Sequence, residues 1–143
     1  MGGPSSCNGL YLMKASMYSL TVRDYVKIAH TLKGEIFGLA QKLHFLVYEV
    51  EVSYLTETLD EYNLVVDFDA AQQTLSTILS EMNFQNLDDL PEFANINTTT
   101  EFLCGYIHRR IGKAMGDRFS GRLGVTLRES PLASASYEGP IGS

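Results

Sequence analysis

From Tyr18 the chain alternates, with Tyr18, Leu20 and Val22 set against Ser19, Thr21 and Arg23. A two-residue period places one set of side chains on each face of a strand, so this segment is predicted as a half-buried strand running to about His30. After "KGEIFG" the alternation resumes. Leu46, Tyr48, Val50, Val52 and Tyr54 share one face, and Val47, Glu49, Glu51 and Ser53 the other, which is acidic and expected to be wet. Between Asp67 and Met82 the period lengthens to that of a helix. Phe68, Ala71, Leu75, Ile78, Leu79 and Met82 form one stripe behind Asp67 or Asp69 as the N-cap. A second helix is predicted from "TTTE" at 98–101, which has the spacing of a capping box, followed by Phe102, Leu103, Tyr106, Ile107, Ile111 and Met115. "RLGVTLRES" returns to alternation, and a turn at Pro131 leads into "ASASY".

The order strand, strand, helix, helix, strand, strand predicts an α+β fold, a four-stranded antiparallel sheet with both helices on one face. Such a sheet has two edges with unpaired backbone donors and acceptors, which barrel closure or a partner chain must satisfy. Homo-oligomerisation is therefore expected. The 143 residues make one domain, and 45% hydrophobic content supplies a core. Residues 1–16, rich in Gly, Pro and Ser and without a sustained period, are expected to be a flexible N-terminal extension before a domain over residues 17–143.

A formal net charge of −6 argues against a nucleic-acid partner. The one basic cluster, Arg109, Arg110, Lys113, Arg118 and Arg122, is opposed locally only by Asp117; it is either a solvated helix end favoured by the helix dipole or an anion contact. Cys7 and Cys104 give neither a disulfide framework nor a metal spacing, which fits a reducing cytoplasm. No apolar run approaches the ~20 residues of a membrane span, so no membrane association is expected.

Five segments taken together resemble the family of 6-pyruvoyl tetrahydropterin and 6-carboxytetrahydropterin synthases over roughly residues 17–139. They are "KIAHTL", "KLHFLVYEVEV", "NLVVDFDAAQQTL", "MNFQNLDDLPEFANINTTTEFL" and "VTLRESPLASASY", in the family's order. The resemblance implies a tunnelling fold, in which sheets from several subunits join into a barrel, trimers stack into a hexamer, and active sites lie between subunits.

The resemblance also implies a catalytic zinc on three histidines, one on the first strand and two in an H-x-H of the second. Here those positions are His30, His44 and Leu46, so one ligand is replaced by an isobutyl group and no zinc cofactor is expected. His30 and His44 are then ordinary hydrogen-bonded side chains or an incomplete metal pair. The family's cysteine base falls on Ala40, and its Asp-His relay on Asn83 and Phe84, none of which exchanges a proton near neutral pH. Some relatives use a nearby glutamate instead; the nearest here is Glu35, displaced by five residues. His108, among basic residues on the second helix, is expected at the surface.

The positions that the resemblance assigns to ligand recognition are kept. Glu129 matches a pterin-anchoring glutamate, and Thr99, Thr100 and Glu101 a second pterin-contacting segment. A carboxylate suits this role because a pterin offers two neighbouring N–H groups that it can accept as a pair. Glu101 could equally serve its own helix as a capping-box residue, and Glu129 could be a surface carboxylate. Three functions follow: a pterin-binding homologue without the usual zinc-dependent synthase step, an active pterin-modifying lyase of altered chemistry, or a non-catalytic structural or regulatory oligomer.

Overall fold

The structure, a computed structural model, describes residues 16–142. Nearly all of the expected extension, with Cys7, lies outside them. Strand β1, Tyr18–His30, pairs antiparallel with β2, His44–Thr56, in a register that puts Tyr18 opposite Thr56 and His30 opposite His44. β2 pairs with β4, Gly121–Ser130, and β4 with β5, Ala133–Ile141, through a tight turn at Pro131 and Leu132. β5 runs beyond the "ASASY" segment to Ile141.

The sheet has five strands rather than four. A two-residue strand β3, Gln85–Asn86, runs parallel to β1 at Ile28 and Ala29, giving the order β3-β1-β2-β4-β5. Two residues are too few to carry a period, and their pairing depends on the preceding turn. In that turn Asn83 Oδ1 accepts the Lys27 N–H at 2.9 Å, and the Phe84 N–H donates to the Lys27 carbonyl at 2.7 Å. Phe84 is held at φ +61° with its ring exposed.

Helix α1, Phe68–Ser80, starts at Asp67, whose Oδ1 accepts the Asp69 N–H at 3.0 Å. It packs on β1, whereas α2, Thr100–Met115, packs on β4, β5 and α1. The core lies between this helical layer and the inward face of the sheet, where Val22, Val26, Ile28, Tyr48, Val50, Val52, Leu123, Val125 and Leu127 are buried. Stripe and alternation thus converge on one layer boundary. Among the described residues no helix covers the opposite face. There Arg23 and Arg128 both bond Glu51, at 2.9 and 3.0 Å, and Thr21 meets Ser53 at 2.7 Å. Burial alone would raise the Glu51 carboxyl, but the two guanidinium groups outweigh it and hold it below the ordinary value.

The start of α2 differs from the capping box that "TTTE" suggested. Thr99 is the N-cap, its hydroxyl accepting the Phe102 N–H at 3.1 Å, so Glu101 falls one place short of the position from which it could reach back. Thr98 is buried and bonds elsewhere. His108 is not at the surface either. It is 7% exposed, its Nε2–H donating to the Gly139 carbonyl at 3.1 Å and its ring edge-on to Tyr137. Within the basic cluster, Arg110 forms a two-pronged pair with Glu81 at 2.8 Å and Arg122 bonds Glu138 at 2.9 Å, so charges distant in sequence offset part of it.

Candidate functional site

At one end of the sheet a cleft of about 350 Å3 is lined by residues of β1, β2, β4, the start of α2 and the connection between β1 and β2. That connection, Glu35–Gln41, is a 3-10 segment bent at Gly38, whose φ of +53° favours glycine. It brings Phe37 and Ala40 to the cleft wall, while Glu35 is exposed and outside the lining. Side by side in the cleft lie His30, His44, Leu46, Tyr48, Thr99, Thr100, Glu101 and Glu129. Every position assigned to ligand recognition or to metal is therefore gathered here. Asn83 and Phe84 are not; Phe84 lines a separate apolar groove with Leu43 and Phe45.

At the histidine end the antiparallel register sets His30 directly opposite His44, with ring centroids 4.6 Å apart. His44 Nδ1–H donates to the Lys42 carbonyl at 2.8 Å. His30 Nδ1 lies 2.9 Å from Thr98 Oγ1, and its buried Nε2 has no hydrogen-bond partner among the described residues. Burial, and then the neighbouring His44, push the His30 imidazole below its ordinary value, so it is neutral at neutral pH. Two imidazoles whose Nδ1 atoms are already engaged resemble part of a metal site. Leu46 contributes no donor, and among the described residues no group of three His, Cys, Asp or Glu side chains is placed to hold an ion. The chain's own donors thus do not fit a three-ligand zinc centre.

At the other end, Thr100 Oγ1–H donates to Glu129 Oε1 at 2.9 Å, and the Tyr48 hydroxyl lies 3.0 Å from Thr100 Oγ1. A second hollow of about 220 Å3 adjoins the cleft, sharing Thr100, Glu101 and Glu129 and bounded by Ala133, Ser134 and Ala135. Glu129 thus stands between two spaces, its carboxylate fixed at one oxygen. Tyr48 is the residue that the sequence reading placed only in the core stripe. Its hydroxyl set it apart from Val50 and Val52, but its partner lies 52 residues away. Cys104, buried at the back of α2, is raised to about 11 by burial and so stays a thiol.

A larger hollow of about 580 Å3 lies between α2 and the end of β5, at Tyr106, Arg109, Lys113 and Ile141. None of the residues that the resemblance singles out lines it, and size alone gives it no chemistry. No helix of the described residues is long and apolar enough to cross a membrane.

The fold is that of solved pterin synthases. The structure of 6-pyruvoyl tetrahydropterin synthase from Caenorhabditis elegans superposes with a TM-score of 0.75 over 89% of this chain and 99% of that one, at 21% identity. The Plasmodium falciparum enzyme gives 0.72 over 88% and 99% at 14% identity. A Plasmodium vivax enzyme in which a catalytic glutamate is replaced by alanine gives 0.71 over 88% and 99% at 16% identity. Curated protein sequences give no match. The family model for 6-pyruvoyl tetrahydropterin synthase matches residues 19–140, almost all of the described chain, and the protein belongs to that family.

Proposed function

We propose that this protein binds a pterin or a related planar heterocycle in a cleft completed by neighbouring subunits, and that it does not perform the zinc-dependent synthase step. The observation that carries this reading is the Thr100–Glu129 hydrogen bond at the junction of the two hollows. It holds an acceptor where a pair of ligand N–H groups could dock, whereas Ala40, Leu46, Asn83 and Phe84 supply no metal donor and no proton-transfer group. Glu35 is exposed and outside the cleft lining, so no base is assigned to it.

The proposal includes a closed oligomer, a hexamer of two trimers as in the tunnelling fold. The outer edge of β5, and that of β1 before Ile28, have no strand beside them among the described residues. A monomer by light scattering at micromolar concentration would overturn this part.

Calorimetric titration of biopterin, neopterin and sepiapterin tests the binding. Glu129→Gln should weaken it by about 1–3 kcal/mol for each ligand donor left unpaired, nearly as much as Glu129→Ala, because the amide turns a donor toward a donor. Equal affinity in wild type and Glu129→Gln would reduce Glu129 to a surface carboxylate. Turnover of dihydroneopterin triphosphate would favour an active lyase instead.

A further inference from the structure

The Thr100 hydroxyl has one proton, and it is given to Glu129 Oε1. Toward Tyr48, Thr100 Oγ1 can therefore only accept, and the short contact between them is a bond donated by the phenol. The order of donation runs from Tyr48 on β2, through Thr100 in the first turn of α2, to Glu129 on β4. Hydrogen bonds in such a chain polarise one another toward the charged end.

Burial pushes the Tyr48 phenol up to about 12, so it remains a donor throughout the neutral range. A need to satisfy a buried hydroxyl does not by itself explain the arrangement. Tyr54, on the same buried stripe, has a hydroxyl with no hydrogen-bond partner among the described residues. Thr100 is also backed from its other side, since Thr99 caps α2 and fixes the backbone of that turn.

We propose that Tyr48 is a positioning residue for ligand binding: through Thr100 it sets the rotamer of Glu129 before the ligand arrives. This rests on the pterin-binding reading above. Without the chain, a carboxylate near a strand end would sample several rotamers, and binding would have to select one. With it, Oε1 is already engaged and the orientation of the carboxylate plane is fixed.

The test is a set of biopterin titrations by calorimetry on wild type, Tyr48→Phe, Thr100→Ser, Thr100→Val and Glu129→Gln, and on the double variant Tyr48→Phe/Glu129→Gln. Tyr48→Phe should weaken binding about fivefold, the scale of one neutral hydrogen bond. In the Glu129→Gln background the same change should matter less than about twofold, because nothing remains to be oriented. Thr100→Ser, which keeps the hydroxyl, should lose less affinity than Thr100→Val, and Thr100→Val, which also removes the bond to Glu129, should lose at least as much as Tyr48→Phe. Unchanged affinity in Tyr48→Phe, or an equal loss in both backgrounds, overturns the proposal, the second outcome marking Tyr48 as merely structural.

A ligand-free measurement separates this from the binding reading. With tyrosine labelled at Cζ, the Tyr48 resonance in mixed light and heavy water should split through slow hydroxyl exchange in wild type and Thr100→Ser, and collapse in Thr100→Val. If wild type binds no biopterin yet shows this pattern, the pterin reading fails and the relay stands. Rapid exchange in wild type removes the relay.

Discussion

The two ends of the cleft use their polar atoms in opposite ways. At the glutamate end, side chains from three elements form one chain of donation, from Tyr48 to Thr100 and from Thr100 to the Glu129 carboxylate. At the histidine end, two imidazoles meet across a strand pair, the buried one keeps an unpartnered Nε2, and the next inward position on β2 is the isobutyl group of Leu46. The supports are separate as well. Thr98 and the Lys42 carbonyl hold the histidines, and Tyr48 and Thr100 hold Glu129. The two ends thus draw on different hydrogen-bond partners, joined through the consecutive threonines Thr98, Thr99 and Thr100.

The largest change is expected from Leu46→His, which supplies the missing third imidazole. Elemental analysis after purification from metal-replete medium should find zinc rising from under half an equivalent per chain to near one. Synthase turnover should stay absent, because Ala40, Asn83 and Phe84 still move no proton. Turnover restored by this single change would erase the division between the two ends.

A smaller effect should follow from Thr98→Val, which leaves both ring nitrogens of the buried His30 without a partner. Denaturant titration should show a loss of about 1–3 kcal/mol of stability. Biopterin affinity should stay within about twofold of wild type, and a larger loss would show the two ends to be coupled.

The smallest effect lies outside the cleft. The Arg110 guanidinium holds the Glu81 carboxyl below the ordinary glutamate value of 4.5. As pH falls the unfolded chain takes up this proton first, so the pair's stabilisation is present above about pH 4.5 and is lost as pH falls through the lower folded value. Both side chains are substantially exposed, which keeps the contribution under about 1 kcal/mol. Glu81→Gln should flatten that part of the acid dependence of the urea midpoint and leave biopterin binding unchanged. An undiminished acid loss in the variant would place the sensitivity in another carboxylate.

The long elements were legible because each one's period and its tertiary role coincide. The stripe on β2 is buried where alternation placed it, and both helices start within a residue or two of their capping signals. The misreadings come from contacts that no local pattern encodes. Three consecutive threonines can each cap a helix, and what singles out Thr99 is that Thr98 turns inward to His30, 68 residues earlier. His108 is buried because β5 continues to Gly139. There the Gly139 carbonyl accepts the His108 Nε2–H at 3.1 Å. The motif positions of the cleft were legible as a set, and the order of donation among them was not, because it depends on distances between β2, α2 and β4.

The helix-free face of the sheet bears on the chain's fate before it meets any partner. That face carries Tyr25, Phe45 and Val47 open to water, a surface suited to adventitious sticking. Across its middle runs the ladder of Arg23, Glu51 and Arg128. A slip of one residue in the β1–β2 register would turn Arg23 of β1 or Glu51 of β2 into the core and that strand's valines outward, so misaligned pairing carries a heavy electrostatic cost. Although it takes no part in the cleft, the ladder makes the observed register the one in which these charges stay in water and paired.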